Sequence, residues 1–420
     1  MVLERRSYPT KDGTGAFCSR SAFCTGDAIL SAAVSETIDR LFQALQKWAE
    51  NEVEMRKMYN TISTPLHVFG DWHGTNAYEA MVALASSEDQ PVRNAVGTLE
   101  ERKEALAALK AATGAVLDLS AIATIRLLEI DHILATTHFK FALTVNTRRE
   151  LRETLGDKSR SDSPSIAIEF RDGKRIMHEE TVEFKRKRAD ANRAFLDLIE
   201  KHCEIVPVEA VASLPPEKRE PFDKLFGLYG TESMLLASKP GYVLWSDDLV
   251  QSVIAATEFG ARRVWTQTVL VYLAELDATW AKDRDISTAK LVKMDYRITF
   301  FDCSSILEAV HLTGARPWES PLVELVRQFE RAEAELSSIF PILEELAVRL
   351  FRENLMPENR CRVMKAFLEA MWMNPAVRRG IINLRSKSAW IFSLNPVGQS
   401  QFNNCFDAWL KQIQNPILMT

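Results

Sequence analysis

The sequence has little of what announces several common chemistries. Its six cysteines (Cys18, Cys24, Cys203, Cys303, Cys361, Cys405) are scattered, and none stands in a C-x-x-C pair. Cys18 and Cys24 are the closest two, with no His or Cys cluster beside them, so neither a zinc finger nor a disulfide framework is indicated. All six read as reduced thiols. No stretch approaches about 18 unbroken apolar residues, the length a membrane helix needs. The opening residues Met1 to Arg6 lack the apolar segment of a secretory signal, so a cytoplasmic protein is expected. A G-x-x-x-x-G-K-[ST] phosphate loop is missing, which argues against ATPase chemistry. G-x-S-x-G is missing too, and with it the usual hydrolase nucleophile elbow. Positive charge is not in excess either: the formal net charge is −5. Any polynucleotide contact must therefore come from a local basic patch rather than a global field.

What is present is ordinary globular material. The 420 residues are 46% apolar and 26% charged, enough for two or three domains or one domain with large helical additions. Residues 1 to about 27 are rich in Gly, Ser, Thr and Cys without periodicity. Apolar residues recur at helical spacing from Asp27 to Met58, around Tyr78 to Ala85, and from Thr98 to Ala112, where Thr113-Gly114 is a plausible stop.

The pattern then changes to short apolar runs alternating with helical stretches. Ala115-Val-Leu-Asp118 is a strand-like run ending in an acid, followed by a helix through Ile133. Phe141 to Val145 is a second run, with a helix opening at Thr147. Ser165 to Phe170 and Arg175-Ile-Met flank Asp172-Gly173, a type I′ hairpin signal. A charged helix from Thr181 to Lys201, a strand from Glu204 to Val208 and a helix from Phe222 to Ala237 follow. Tyr242 to Trp245 reads as a buried strand, Asp248 to Phe259 as a helix, Arg263 to Trp265 as a last strand, and Thr268 to Leu276 as a helix. Such alternation predicts an α/β domain with a mainly parallel central sheet between helical layers. The remainder is helical, at Leu322 to Leu350, Cys361 to Trp372 and Phe402 to Ile413. The expected organisation is a helical N-terminal region (1–112), an α/β domain (113–275) with an inserted hairpin near 156–180, and a helical C-terminal region (276–420).

Five acids stand where this pattern would gather them. Asp118 ends the first strand, Glu150 lies in the first turn of the helix after the second, Glu232 opens a later helix, and Asp247-Asp248 follow the Tyr242 to Trp245 strand. In a doubly wound sheet, ligands bind at the carboxyl ends of the strands. A cluster of carboxylates there suits Mg²⁺ or Mn²⁺ and metal-assisted phosphodiester hydrolysis. Each acid has a plainer reading. Thr147-Arg-Arg-Glu150 is a capping box by itself, and Asp118, Glu232, Asp247 and Asp248 are suited to helix N-termini, with Ser246 and Thr231 as neighbouring cap candidates.

The order of these segments resembles PIN domains. Ala115 to Ile122 is similar to their opening strand, which a metal-binding Asp ends. Leu143 to Leu151 is similar to the second strand and the helix that bears a Glu. Gly230 to Ala237 followed by Val243 to Asp248 resembles a variant in which a Glu-led helix precedes a strand ending in Asp-Asp. Nearest are PIN domains of large bacterial proteins with tetratricopeptide repeats. The resemblance implies a PIN-like three-layer fold and a metal-dependent endoribonuclease, often in toxin or defence systems. It implies Asp118, Glu150, Glu232 and Asp247 as catalytic acids, with Asp118, Glu232, Asp247 and Asp248 holding Mg²⁺ or Mn²⁺. The stretch from Gly156 to Glu180 is longer than a minimal PIN domain needs, and no tetratricopeptide array is visible in residues 1–112.

Lys185, Arg186, Lys187 and Arg188, with Arg171, Lys174 and Arg175 on the hairpin, form the best local basic patch for RNA phosphates; a solvated helix face is the plainer reading. Arg378, Arg379, Arg385 and Lys387 form a weaker one. Trp245 is expected in the core, and His132 and His138, six apart, lack zinc spacing. Two other functions remain open. One is a non-catalytic PIN scaffold binding protein partners through its helical flanks. The other is a haloacid-dehalogenase-type phosphatase, disfavoured because Ser120 stands where that motif needs a second Asp.

Overall fold

A computed structural model describes residues 54–414 except 56, 62, 88–89, 137–138, 158–164, 172–173, 331–335 and 376. Most of the helix expected from Asp27 to Met58, the Asp172-Gly173 turn and His138 lie outside the described residues. The chain divides into two compact units. One comprises Met1–Tyr272 with Met294–Ile298, the other Leu273–Lys293 with Thr299–Thr420.

The first unit opens with three helices, α1 (Leu66–Trp72), α2 (Ala77–Ala85) and α3 (Leu99–Ala111). Thr98 caps α3 by accepting from the Glu101 amide, while Glu101 reaches back to the amides of Val96 and Gly97. These reciprocal bonds satisfy the end of a helix whose Ala, Leu, Glu and Lys content already favours it. The alternation then delivers β1 (Gly114–Leu117), α4 (Leu119–Leu128), β2 (Lys140–Thr144) and α5 (Val145–Arg152). Next come the antiparallel hairpin β3 (Ser165–Arg171) and β4 (Lys174–Glu180), α6 (Val182–His202) and β5 (Cys203–Val206). The unit continues with α7 (Pro216–Ala237), β6 (Tyr242–Trp245), α8 (Leu249–Phe259), β7 (Arg263–Val264) and α9 (Thr266–Leu276).

The sheet has the order β5-β2-β1-β6-β7, and every pair in it is parallel. All four residues of β1 are buried, as a parallel strand covered by helices on both faces requires. Val116, Ala142 and Leu244 from the three central strands pack with Phe226, Met234 and Leu236 of α7 and Ala255 of α8. Each large side chain buried this way contributes about 1.5–3 kcal/mol relative to exposure. The fold is the α/β, PIN-like one that the alternation and the resemblance predict.

Several boundaries differ from expectation. The helix after β1 stops at Leu128, where Glu129 turns left-handed (φ 61°), and Asp131–Ala135 continues as a 3₁₀ turn. The helix after β2 begins at Val145, not Thr147, because Thr144 takes the cap and accepts from the Thr147 amide. Glu150 is thus in the second turn, and Thr147-Arg-Arg-Glu150 is not a capping box. Helix α7 begins at Pro216 and breaks at Gly227 (φ 67°, ψ 165°). Glu232 and Thr231 therefore sit inside its second half rather than opening a helix.

The second unit is helical: α10 (Ala281–Lys293), α11 (Cys303–Leu312), α12 (Leu322–Gln328), α13 (Leu336–Leu350), α14 (Pro357–Met373), α15 (Arg378–Ile391) and α16 (Pro396–Gln414). Its core packs Phe329 edge-on to Phe367, Phe402 against Phe406, and Phe406 against Trp409. Among the described residues no helix is long and apolar enough to cross a membrane.

Candidate metal centre

The strand order reverses between β1 and β6. Chain connections run outward from β1 through β2 to β5, then cross back to β6 and β7. Such a reversal leaves a crevice at the carboxyl ends of the two strands, because their following helices leave on opposite sides. Leu117 pairs with Trp245, and the Asp118 amide donates to the Trp245 carbonyl. The next residues on each strand, Asp118 and Ser246-Asp247-Asp248, flank that crevice.

Asp118 caps α4. Its Oδ1 accepts from the Ala121 amide at 2.8 Å and the Ser120 hydroxyl at 2.7 Å, and its Oδ2 accepts from the Ser246 hydroxyl at 2.6 Å. Asp248, not Asp247, caps α8: Oδ1 accepts from the amides of Val250 and Gln251, and Oδ2 from the Leu66 amide at 2.7 Å. Asp247 turns the other way. It accepts from the Thr266 amide at 2.9 Å and from the Thr266 hydroxyl, and Thr266 in turn accepts from the Trp245 indole. Trp245 is buried, as expected.

Burial pushes the carboxyls of all three up. Asp118 rises to about 7, chiefly by desolvation; the Ala121, Ser246 and Ser120 bonds oppose the rise, and the charge of Asp248 adds to it. Desolvation carries Asp248 to about 6 against the three amides, and raises Asp247 against Thr266. The donors to these carboxylates among the described residues are amides and hydroxyls, with no cationic side chain. A buried acid without a counter-charge is costly in ionised form.

The other two acids line α5 and α7. Glu232 is buried; its Oε1 accepts from the Asn146 side chain at 2.6 Å. Glu150, half-buried and one turn beyond Asn146, lies 4.0 Å from the Arg149 guanidinium. Tyr229 locates the centre of this edge. Its phenol is pushed up by burial and further by the charges of Glu150, Asp118 and Asp248. Tyr229 and Asn146 gave no signal in the sequence, since Tyr229 owes its place to His67 and Ala77, 162 and 152 residues away, and Asn146 to Glu232, 86 residues away.

Among the described residues no three His, Cys, Asp or Glu side chains converge into a metal cage. The donor set fits a hard divalent ion nonetheless. Mg²⁺ binds through one or two carboxylates and keeps its waters, and Asp118 and Asp248 are two uncompensated acids within electrostatic reach of each other.

The basic patch is only partly a surface. Lys185 is buried, and Arg188 is taken by Glu180; Arg186 and Lys187 are exposed. The four residues do not form one exposed strip.

Residues 116–257 match the family model PIN-TPR-GreABC, described as a PIN domain associated with the TPR-GreAB-C-PIN system. No curated protein and no solved structure matches the chain.

Proposed function

Residues 116–257 are a PIN domain, and on that premise we propose that the chain is a metal-dependent endoribonuclease. PIN domains are generally nucleases that use divalent metals. The observation that carries the reading is the pair Asp118 and Asp248, buried on either side of the β1–β6 crevice with no basic side chain among the described residues bonded to either. These two would hold Mg²⁺ or Mn²⁺, with Glu232 on α7 and Glu150 on α5 as the further acids of the proposed set. A bound ion supplies a water of lowered pKa and neutralises charge on the scissile phosphate.

The protein's own part is orientation. Ser120, Ser246 and the Ala121 amide fix Asp118 so that its remaining lone pair is on Oδ2. The α8 amides occupy Oδ1 of Asp248, and Oδ2 accepts a single bond, from the Leu66 amide. Asn146 sets Glu232. Asp247, turned into Thr266, acts as a positioning residue that ties β6 to α9. RNA is the proposed substrate, with Arg186 and Lys187 as phosphate contacts.

The direct test incubates the full chain with single-stranded and structured RNA and with DNA, in Mg²⁺ or Mn²⁺. RNA cleavage that stops with EDTA, and is lost in Asp118→Asn and Asp248→Asn, is the expected result. A folded protein inert on every substrate with both ions would favour the scaffold reading, which the cap-like donors on Asp118 and Asp248 support.

A further inference from the structure

One segment lies across the carboxylate edge without belonging to residues 116–257. Helix α1 starts at Leu66, whose amide donates to Asp248 Oδ2 at 2.7 Å. The next residue, His67, has Nδ1 2.8 Å from the Tyr229 hydroxyl, which also accepts from the Ala77 amide at 3.3 Å. Asn76 donates to Thr154 Oγ1 at 2.6 Å. Tyr229 feels the charges of Glu150, Asp118 and Asp248, so the contacts of this segment fall on the site itself.

The fit is built on both sides. Gly227 takes a left-handed φ of 67°, and a Cβ there would lie 2.7 Å from the Tyr229 ring and 3.1 Å from His67 Cε1. Burial keeps the His67 imidazole below its ordinary pKa, hence neutral at pH 7 and able to accept from the phenol. The segment has little helical stability of its own: α1 has seven residues and no side-chain cap at Pro65, well under the length at which an isolated helix persists.

Asp248 has one oxygen to offer. Two α8 amides hold Oδ1, and removing them would uncap the helix. Ligation by Asp248 falls to the second lone pair of Oδ2, beside the Leu66 amide proton; the Ser246 hydroxyl on Asp118 can rotate its proton away from a cation, whereas a backbone amide proton is fixed and repels one unless the segment moves. We propose that the segment from Pro65 to Ala77 is a gate that competes with the divalent ion for Asp248 Oδ2, so that loading the site and loosening this segment are linked. The gate rests on the metal-dependent reading above and assigns its regulation.

Tyr229→Phe loosens the segment without touching Asp248, because it keeps the ring and removes the hydroxyl that joins His67 and the Ala77 amide. Hydrogen exchange across residues 65–77 of the metal-free variant should be faster than in the wild type. Calorimetric titration of the full chain with Mn²⁺ should then show the variant binding about five-fold more tightly, the worth of one neutral hydrogen bond. In the wild type, exchange across the same residues should quicken on adding Mn²⁺, a readout that stands even if the variant fails to fold. Equal Mn²⁺ affinity in a variant whose segment is loosened, or slower exchange in the wild type with Mn²⁺, overturns the gate while leaving the metal site intact. Absence of Mn²⁺ binding in every folded protein overturns the metal reading and the gate together.

Discussion

Ser246 donates its hydroxyl to Asp118 Oδ2 at 2.6 Å, joining the ends of β6 and β1 across the point where the strand order reverses. The serine that follows one strand thereby orients the acid that follows the other. A hydroxyl in that place does two things at once: it keeps a buried carboxylate solvated and leaves it without a counter-charge.

Asp118 and Asp248 are helix caps as well as candidate ligands, and the two roles differ in sign. Loss of a cap costs about 0.5–2 kcal/mol whether or not metal is present. Acids gathered for an ion repel one another when it is removed. In EDTA, Asp118→Asn and Asp248→Asn should melt at or above the wild-type temperature. The rise that Mn²⁺ gives the wild type by mass action should vanish in both. Lower melting in EDTA, together with no Mn²⁺ effect on the wild type, would make them caps alone.

The metal-free protein should lose stability as pH rises toward neutrality at this site. Asp118 has its carboxyl raised from 3.8 to about 7 in the folded state, mainly by desolvation. Folding then favours the protonated acid. The contribution is whole below pH 4 and disappears as the pH climbs to about 7. Thermal melts in EDTA from pH 4 to 8 should therefore fall more steeply for wild type than for Asp118→Asn. Parallel curves would mean that the acid is not raised.

Gly227→Ala should destabilise the first unit by at least about 1–3 kcal/mol, the cost for a residue with a Cβ of a positive φ combined with an extended ψ, before the contact with Tyr229 is counted. Urea unfolding would measure it. A loss of only a few tenths would show that α7 is not held at this break.

Neutralising Arg186 and Lys187 should weaken RNA binding and flatten its salt dependence by about 0.7–0.9 per lost phosphate contact. Substituting Lys185 instead should act through folding, because that side chain is buried. An unchanged slope in the Arg186 and Lys187 variants would return them to a solvated helix face.

Local pattern revealed much of this. Strand β6 falls on the residues its apolar run marks, Asp118 ends β1 as expected, and Thr98 and Thr181 cap the helices they precede. Adjacent acids were harder to separate. Either Asp247 or Asp248 could cap α8, and the choice is made by Thr266, which draws Asp247 away. Thr144 and Thr147 compete for one helix start in the same way, and the buried bond between their hydroxyls lets the earlier residue win. The break at Gly227 inside the helix expected from Phe222 to Ala237 has no local cause, because nothing near it in sequence tells of His67. Leu66 gave no sign at all: its partner lies 182 residues away, and an amide proton leaves no trace in a residue's identity.

Tyr296 carries a consequence for how the protein is made. It belongs to the short return Met294–Ile298, bridges to Val92, and shares a hydrogen bond with Thr124 at 2.6 Å. The chain leaves the first unit after Tyr272 and comes back to it twenty-odd residues later. On the ribosome, the α/β sheet can assemble once β7 has emerged, but the buried surroundings of Thr124 stay open until residue 298 is clear of the exit tunnel. A piece excised at the boundaries of the matched segment would lack both this late-arriving tyrosine and the early Leu66. The first unit of the chain is thus stitched from three separate moments of its synthesis.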